Sequence, residues 1–307
     1  MKQHTNSSLQ CFRRCPREYE YRYVQLRRSK DISESLKFGT LFHRALNIWY
    51  SDRSDKSVAN GCALAFGSDL DPVELVKFIE LFTCYTDIYK HHNITTLSVE
   101  KRFKDINGFM CGSIDVLAKM NDKYVIIEHK TTTQDIGPTS SYWDRVTSID
   151  SQLSTYVSAA KEMGYDVQEI VYDVIHRPRS GPYKSTPKSQ RKYTKAGNLY
   201  AGQRDVDETL EEYRERLRED IKNNPEFYFQ RKTIVRLESE LLSQDQDNRM
   251  TDRMIDLCEK EEMYPRNTGS CFQFGRKCDY WDVCNGTESI NNDNIFRTAK
   301  VPHEELE

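Results

Sequence analysis

Two different spacings of apolar residues divide this 307-residue chain into predicted strands and helices. Runs of β-branched and apolar residues predict strands at residues 97–103, 110–120, 124–131 and 168–175. Apolar positions three and four residues apart predict helices at residues 38–50, 72–92, 148–163, 205–224 and 249–262. A helix therefore separates the last two predicted strands. This order predicts an α/β fold in which helices flank a mixed sheet.

The second and third predicted strands form a hairpin that carries three charged residues. Residues 121–123, Asn-Asp-Lys, have a composition that suits a tight turn. Glu128 and Lys130 are two residues apart, so both side chains leave the same face of their strand, and Asp115 on the neighbouring strand can reach that face. Because unpaired charges are costly to bury, such residues are normally paired or bound to a metal.

The charged hairpin allows two interpretations. Glu128 and Lys130 could form a buried ion pair beside an exposed Asp115. Alternatively, Asp115 and Glu128 together form a site of hard oxygen ligands suited to Mg²⁺ or Mn²⁺. In the second case the ammonium group of Lys130 can orient a metal-activated water or stabilise charge on a scissile phosphate.

Three other segments have simpler patterns. Residues 51–70 are polar and predict an irregular connection. Tyr19, Tyr21 and Tyr23 could stack on nucleic-acid bases, although packing on the core is the commoner role of such aromatic residues. Residues 286–307 are polar and predict a flexible tail.

One segment is strongly basic within a chain whose net charge is −3. Residues 176–204 contain no Asp or Glu, and their Pro and Gly residues argue against regular structure. This loop insertion, taken as residues 176–205, is either an ordinary flexible insertion or an electrostatic track for a phosphate backbone. Its predicted DNA-binding residues are Arg177, Arg179, Lys184, Lys188, Arg191, Lys192 and Lys195.

The composition of the chain limits the classes of protein to which it can belong. Charged residues make up 30% of the chain and hydrophobic residues 37%, and the net charge gives no global basic signature for nucleic acid. No run approaches the length of a membrane span and the N-terminal sequence lacks a signal-peptide core, so we expect a cytoplasmic protein without membrane contact. In that compartment the nine cysteines indicate burial or a metal site rather than disulfides.

Three of the cysteines lie close together in the sequence. Cys271, Cys278 and Cys284 fall within one short stretch, and Cys15 or Cys11 could supply the fourth ligand of a tetrahedral thiolate site. This spacing leaves zinc and an iron–sulphur cluster open, because both accept four cysteines. A cluster that joins the N-terminal cysteine to the other three would close a very long loop and so stabilise the fold.

Several of these features form a recognisable series of motifs. The motif Gly112-x-x-Asp115 is followed by Glu128-x-Lys130 in the hairpin. Upstream, a predicted helix reads GTLFHRAL around His43, and downstream another contains Gln-x-x-x-Tyr. In order, the six site residues are His43, Asp115, Glu128, Lys130, Gln152 and Tyr156. Their order and spacing resemble the RecB-like branch of the PD-(D/E)xK nucleases, of the phage recombination and CRISPR adaptation exonuclease type.

The resemblance implies a role for each residue. Asp115 and Glu128 would hold Mg²⁺ or Mn²⁺, with His43 and the backbone carbonyl of His129 completing the metal site. Lys130 would position the attacking water. The glutamine and tyrosine of the downstream helix would organise the substrate side of the active site.

The N-terminal sequence CPR-x-Y-x-Y-x-Y and the C-terminal cysteines resemble the iron–sulphur members of this branch. The resemblance implies a [4Fe-4S] cluster, with structural zinc as the alternative. The implied ligands are Cys15, Cys271, Cys278 and Cys284. It also implies one nuclease domain with a PD-(D/E)xK restriction-endonuclease-like core over residues 1–285, in which residues 1–30 and 262–285 form an iron–sulphur subdomain.

The implied activity is that of a metal-dependent DNA exonuclease, which hydrolyses phosphodiester bonds of linear or single-stranded DNA in recombination, repair or phage DNA processing. Two alternatives stay open: a non-catalytic DNA-binding recombination subunit, and an endonuclease of the same fold. DNA is the expected partner, and a helicase or recombination protein could deliver it. The expected location is the bacterial cytoplasm, for a protein of bacterial or phage origin.

Overall fold

A five-stranded mixed sheet forms the centre of the fold. The computed structural model describes residues 2–273 and 276–306. In chain order the strands are β1 (Arg27–Ser29), β2 (Ile94–Lys104), β3 (Cys111–Met120), β4 (Lys123–Thr132), β5 (Val167–His176), β6 (Phe229–Ile234), β7 (Phe272–Gln273), β8 (Arg276–Lys277) and β9 (Phe296–Thr298). The central sheet has the order β2-β3-β4-β5-β6, in which β4 and β5 run parallel and the other neighbours run antiparallel.

The hairpin of β3 and β4 lies inside this sheet, as its apolar sequence predicts. Asn121 and Asp122 both adopt positive φ angles, 48° and 64°, which is the conformation that a tight hairpin turn needs. Pairing between the two strands runs from the turn to Val116 and Ile127. Beyond that pair the strands separate, and this is where the charged residues of the hairpin lie.

Helices cover both faces of the sheet. In chain order they are α1 (Asn6–Arg14), α2 (Pro16–Tyr19), α3 (Glu34–Asp52), α4 (Asp55–Phe66), α5 (Pro72–Tyr89), α6 (Ser141–Ile149), α7 (Ser151–Glu162), α8 (Leu210–Asn223), α9 (Pro225–Tyr228), α10 (Glu238–Lys260) and α11 (Trp281–Cys284). Among the described residues, no helix is long and apolar enough to cross a membrane.

Side chains of β4 point alternately to the two faces of the sheet, and a separate hydrophobic cluster covers each face. Val125 and Ile127 face a cluster that includes Trp49 of α3 and Phe82 of α5. Ile126 faces the opposite cluster, in which Leu153 of α7 and residues of α6 are buried. Glu128 and Lys130 lie two and four residues after Ile126. Because side chains alternate along a strand, these two leave the same face of β4 as Ile126, the face that α7 covers.

Three predictions about the elements need correction. Residues 51–70 contain the helix α4, which begins after Ser54, whose side chain accepts a hydrogen bond from the backbone N–H of Ser57. The helix predicted at 249–262 is the second half of the longer helix α10, and its Leu257 is 58% exposed although the pattern of this helix predicts an inward-facing leucine there. Strand β6 was not predicted. Its alternation is weak because charged residues occupy its middle.

The N-terminal segment and the segment after residue 285 pack together. Tyr19, Tyr21 and Tyr23 are all buried, which confirms core packing rather than base stacking for these aromatic residues. The flexible tail predicted for residues 286–307 is not what the structure shows for its described part: β9 pairs with β1, and Phe296 is 1% exposed. Pairing with a strand near the N-terminus gives this polar segment its order.

Candidate active site

Asp115, Glu128 and Lys130 meet where β3 and β4 separate. Glu128 is 1% exposed, and its Oε1 accepts a hydrogen bond from the ammonium group of Lys130. Asp115 Oδ2 accepts a hydrogen bond of 3.0 Å from the backbone N–H of His129. This donor is available because the strand pairing has already ended. The three charged residues of the predicted hairpin site are therefore brought together.

One oxygen of Glu128 has no partner. Its Oε2 is buried and accepts no hydrogen bond from any residue in the described ranges. Burial, reinforced by the negative charge of Asp115, raises the pKa of Glu128 above its ordinary value. A buried carboxylate oxygen without a donor is costly. A cation bound at this oxygen would remove that cost and lower the pKa.

Lys130 begins a short chain of hydrogen bonds to α7. Its ammonium group donates to Gln152 Oε1 at 2.9 Å, and Gln152 Nε2 donates to the Tyr156 hydroxyl at 2.7 Å. Asp150 caps α7 by accepting a hydrogen bond from the backbone N–H of Gln152, which fixes the start of this helix. Although burial alone would lower the pKa of Lys130, the charges of Glu128 and Asp115 raise it, so the lysine is a permanent cation here.

Helix α3 supplies His43 from the other side of Asp115. The imidazole Nδ1 lies 3.5 Å from Asp115 Oδ2, and the side chain is 27% exposed. Gly39 allows this approach, because a Cβ at that position would lie 2.9 Å from the Thr131 hydroxyl on β4. Burial lowers the pKa of His43 to about 4, so its imidazole is neutral and able to bind a metal at neutral pH.

The side chains of this site have donor atoms that suit a divalent cation, but they do not form a complete coordination site in the structure. The carboxylates of Asp115 and Glu128 and the imidazole of His43 are suitable donors, and one carboxylate oxygen lacks a partner. However, no group of three His, Cys, Asp or Glu residues converges as a metal-binding set within residues 2–273 and 276–306. Asp115, Glu128 and His43 are the residues that would hold such a cation.

A buried network of hydrogen bonds and ion pairs, which was not predicted from the sequence, holds β4 on the opposite face of the sheet. The imidazole of His129, between Glu128 and Lys130, points to the opposite face, where its Nδ1 lies 2.9 Å from Asp173 Oδ2 on β5. Asp173 also accepts a hydrogen bond of 2.9 Å from Arg231 Nε on β6. Burial would raise the pKa of Asp173, but Arg231 and His129 lower it, so this buried aspartate stays charged.

Two cavities give access to the row of His43, Asp115, Glu128 and Lys130, which we call the charged row. The larger, of about 1280 Å³, is lined by His43 and Lys130. It extends to the described part of the β7–β8 hairpin, where Lys277 lies. The smaller, of about 200 Å³, is lined by Asp115 and by the glutamine and tyrosine of α7. His43, Lys130, Asp115, Gln152 and Tyr156 are therefore all accessible from one or the other of these two cavities.

This constellation coincides with a family match. Residues 3–285 match the PD-(D/E)XK nuclease superfamily. The chain belongs to that superfamily. The match spans the charged hairpin, both flanking helices and the cysteine region, and so agrees with the α/β fold.

Two further comparisons add little to the superfamily assignment. A solved structure of a phage-related exonuclease from Haemophilus somnus 129PT is similar at 13% sequence identity, with a TM-score of 0.35 over 69% of this chain and 84% of that chain. No curated protein matches this chain.

The four predicted cluster cysteines of this superfamily member lie around one small cavity. Cys15, Cys271, Cys278 and Cys284 all line it, and the described cysteines are free of disulfides. Cys11 does not line this cavity. It is 3% exposed in a separate apolar cluster, where burial raises the pKa of its thiol to about 12. The structure thus places Cys15 rather than Cys11 beside the other three.

The basic loop insertion borders the larger cavity without lining it: Arg177 Nη2 donates at 2.7 Å to the hydroxyl of Ser35, which lines that cavity. None of its seven predicted DNA-binding residues lines the two cavities described above. Arg177 instead pairs with Glu74 on α5 at 2.8 Å, and Lys184 pairs with Asp207 at 3.1 Å. Arg191 donates to two backbone carbonyls of its own loop. Lys188, Lys192 and Lys195 are exposed, and a role in DNA binding stays a prediction for them and for Arg179.

Proposed function

We propose that this protein is a metal-dependent DNA nuclease whose active site is the row formed by His43, Asp115, Glu128 and Lys130. The observation that carries the proposal is the buried, unpartnered Oε2 of Glu128 beside a second carboxylate and a fixed ammonium group. Membership of the nuclease superfamily supports phosphodiester hydrolysis as the reaction.

Each residue of the proposed active site has a separate role in the reaction. When bound, Mg²⁺ or Mn²⁺ supplies Lewis-acid activation of water and neutralises charge on the phosphate. Lys130 lies within hydrogen-bond distance of Glu128 and Gln152, so its ammonium group can hold the attacking water and offset charge that develops on the phosphate. Gln152 fixes the lysine, and Tyr156 fixes Gln152.

The walls of the larger cavity support DNA as the substrate. Arg44 of α3 and Lys277 of the β7–β8 hairpin both line it and are exposed. Neither has an ion-pair partner within the described part of the chain. Two unpaired cations on different elements of one cleft suit a phosphate backbone that passes between them. We therefore propose that the substrate path runs through this cavity, and DNA binding by the basic loop stays a separate prediction.

We also propose that Cys15, Cys271, Cys278 and Cys284 hold a [4Fe-4S] cluster, with structural zinc as the alternative. Their position around one small cavity supports the proposal. Such a centre would join α1 and α2 to the segment that carries β7, β8 and α11. Its expected role is structural, because none of the four cysteines belongs to the charged row.

The test is degradation of linear DNA labelled separately at each end, single-stranded and duplex, with Mg²⁺, with Mn²⁺ and with EDTA. We expect loss of label that requires the divalent ion, and the label lost first gives the polarity. The absence of a preformed three-ligand group among the described residues favours one alternative, a non-catalytic DNA-binding subunit. Tight DNA binding without cleavage in either metal would establish that alternative.

A further inference from the structure

The segment that contains β9 and the turn after it borders both cavities beside the charged row. After pairing with β1, the chain turns back and forms a single helical turn at Glu304–Leu306. Glu305 and Leu306 line both the large cavity that contains His43 and Lys130 and the small cavity that contains Asp115. We call Phe296–Leu306 the strap. It stands at the boundary between the two approaches to the charged row.

Several contacts fasten the strap to the N-terminal part of the chain. Arg28 of β1 donates to the Pro302 carbonyl at 2.6 Å, and His303 Nε2 lies 2.8 Å from the Gln3 carbonyl. The Thr5 hydroxyl donates to Glu305 Oε1 at 3.0 Å. Within the strap, Arg297 donates two hydrogen bonds to Glu304, at 2.9 Å and 2.7 Å. These contacts hold the turn in the cleft.

The strap obstructs the cleft by both size and charge. The cavity on one side of it holds about 1280 Å³ and that on the other about 200 Å³, below the roughly 300 Å³ at which ordinary ligand pockets begin. Hydrogen bonds from Arg297 lower the pKa of Glu304. Although burial would raise the pKa of Glu305, the nearby His303 and the hydrogen bond from Thr5 lower it, so both carboxylates are charged. Arg297 offsets the charge of Glu304, which leaves Glu305 to repel phosphates.

We propose that the turn Glu304–Leu306 closes the cleft beyond the catalytic row, so that a single DNA strand enters through the large cavity and cannot pass through. The inference rests on the proposed nuclease function and names its substrate class: strands with a free end. A strand without an end would have to thread under the strap, whereas an end can reach the charged row directly.

The experiment compares linear and circular single-stranded DNA of the same sequence. We expect the unmodified protein to degrade the linear strand at least a hundred times faster than the circle. The double variant Glu305→Ala/Leu306→Ala removes the strap's two side chains that line both cavities, leaves Ser7, Glu100 and Ser113, which also line both, in place, and should reduce this preference at least tenfold. Arg297→Ala frees Glu304 without altering any residue that lines the cleft and should reduce the preference in the same direction. It serves as the second test if the double variant does not fold.

Glu288→Ala is the matched control. It removes one carboxylate from the same polar segment, at a residue that lines neither cavity, and should leave the preference unchanged. Rapid cleavage of the circle by the unmodified protein would overturn the proposal. The same holds if both strap variants keep the full preference for linear DNA.

A binding measurement separates this inference from the proposed function. Fluorescently labelled linear and circular strands are titrated with Lys130→Ala protein, with and without the double strap substitution, so that no cleavage is needed. We expect linear DNA to bind at least ten times more tightly, and the strap substitution to remove most of that difference. Equal binding of both forms before the substitution refutes the strap's role. Absence of cleavage with an end-dependent binding difference refutes the nuclease and supports the strap.

Discussion

The imidazole of His129 and the carboxylate of Asp173 lie 2.9 Å apart in the middle of the sheet, on the face opposite to the charged row. Because the backbone N–H of His129 also holds Asp115, this buried pair fixes the part of β4 on which the active site depends. Arg231 completes the network through Asp173 and through the hydroxyls of Tyr50 and Tyr85.

We expect Asp173→Asn to destabilise the fold strongly. The substitution leaves Arg231 as a buried charge without its counterion, and breaking a buried pair typically costs about 3–5 kcal/mol. Urea unfolding measures the change. Asp87→Asn is the control, because Asp87 forms an exposed pair with Lys90 of a kind worth about 0.2–0.5 kcal/mol. Equal losses for the two variants would contradict the proposed importance of the network.

Lys130→Ala should abolish most cleavage without unfolding the protein. The lysine is 30% exposed at its side chain, so truncation leaves no large cavity, but it removes the donor that would hold the attacking water. Loss of one preorganised donor of this kind lowers kcat by about 10²–10³-fold. Single-turnover rates and thermal unfolding are the two measurements. Lys123→Ala, in the turn of the same hairpin and paired at the surface with Glu169, should change neither.

A retained rate in Lys130→Ala would remove the lysine from the mechanism. If that variant also unfolded at a clearly lower temperature, the charged row would be a structural ion pair, the simpler of the two interpretations of the hairpin.

Metal binding should weaken as the pH falls. Burial and Asp115 raise the pKa of Glu128, and a carboxylate must lose its proton before it binds a cation. Affinity for Mn²⁺ should therefore fall about tenfold per pH unit below that pKa, with a midpoint above the roughly 4.3 of an ordinary glutamate. Calorimetric titration between pH 5 and 8 follows the change, and Glu128→Gln should show no such dependence. A wild-type affinity independent of pH in this range would exclude Glu128 as a ligand.

The hairpin and its charged residues could be predicted because the information is local. Alternation, a run of β-branched residues and an Asn-Asp turn fix the strands, and a spacing of two places Glu128 and Lys130 on one face. Gln152 and Tyr156 were predicted from their motif, and their four-residue spacing places them on one helix face. The structure brings all of these residues together.

The remaining features depend on contacts between distant parts of the chain. Asp173 and Arg231 are ordinary strand residues in sequence, and only the order of the sheet places them behind His129. The strap is a polar segment whose order comes from β1, more than 260 positions earlier in the chain. No local pattern distinguishes such a segment from a flexible tail, so its place in the cleft was not predicted.

The proposed cluster gives a last prediction. Purified protein should absorb visible light and contain iron, whereas the zinc alternative gives a colourless protein with bound zinc. Cys15→Ser should lose the metal and unfold at a lower temperature, by roughly 2–4 °C for each kcal/mol lost. Cys11→Ala, four residues away from Cys15 but outside the cysteine-lined cavity, should keep the metal. Metal analysis of the two variants decides the ligand, and wild-type protein with neither iron nor zinc would refute the site.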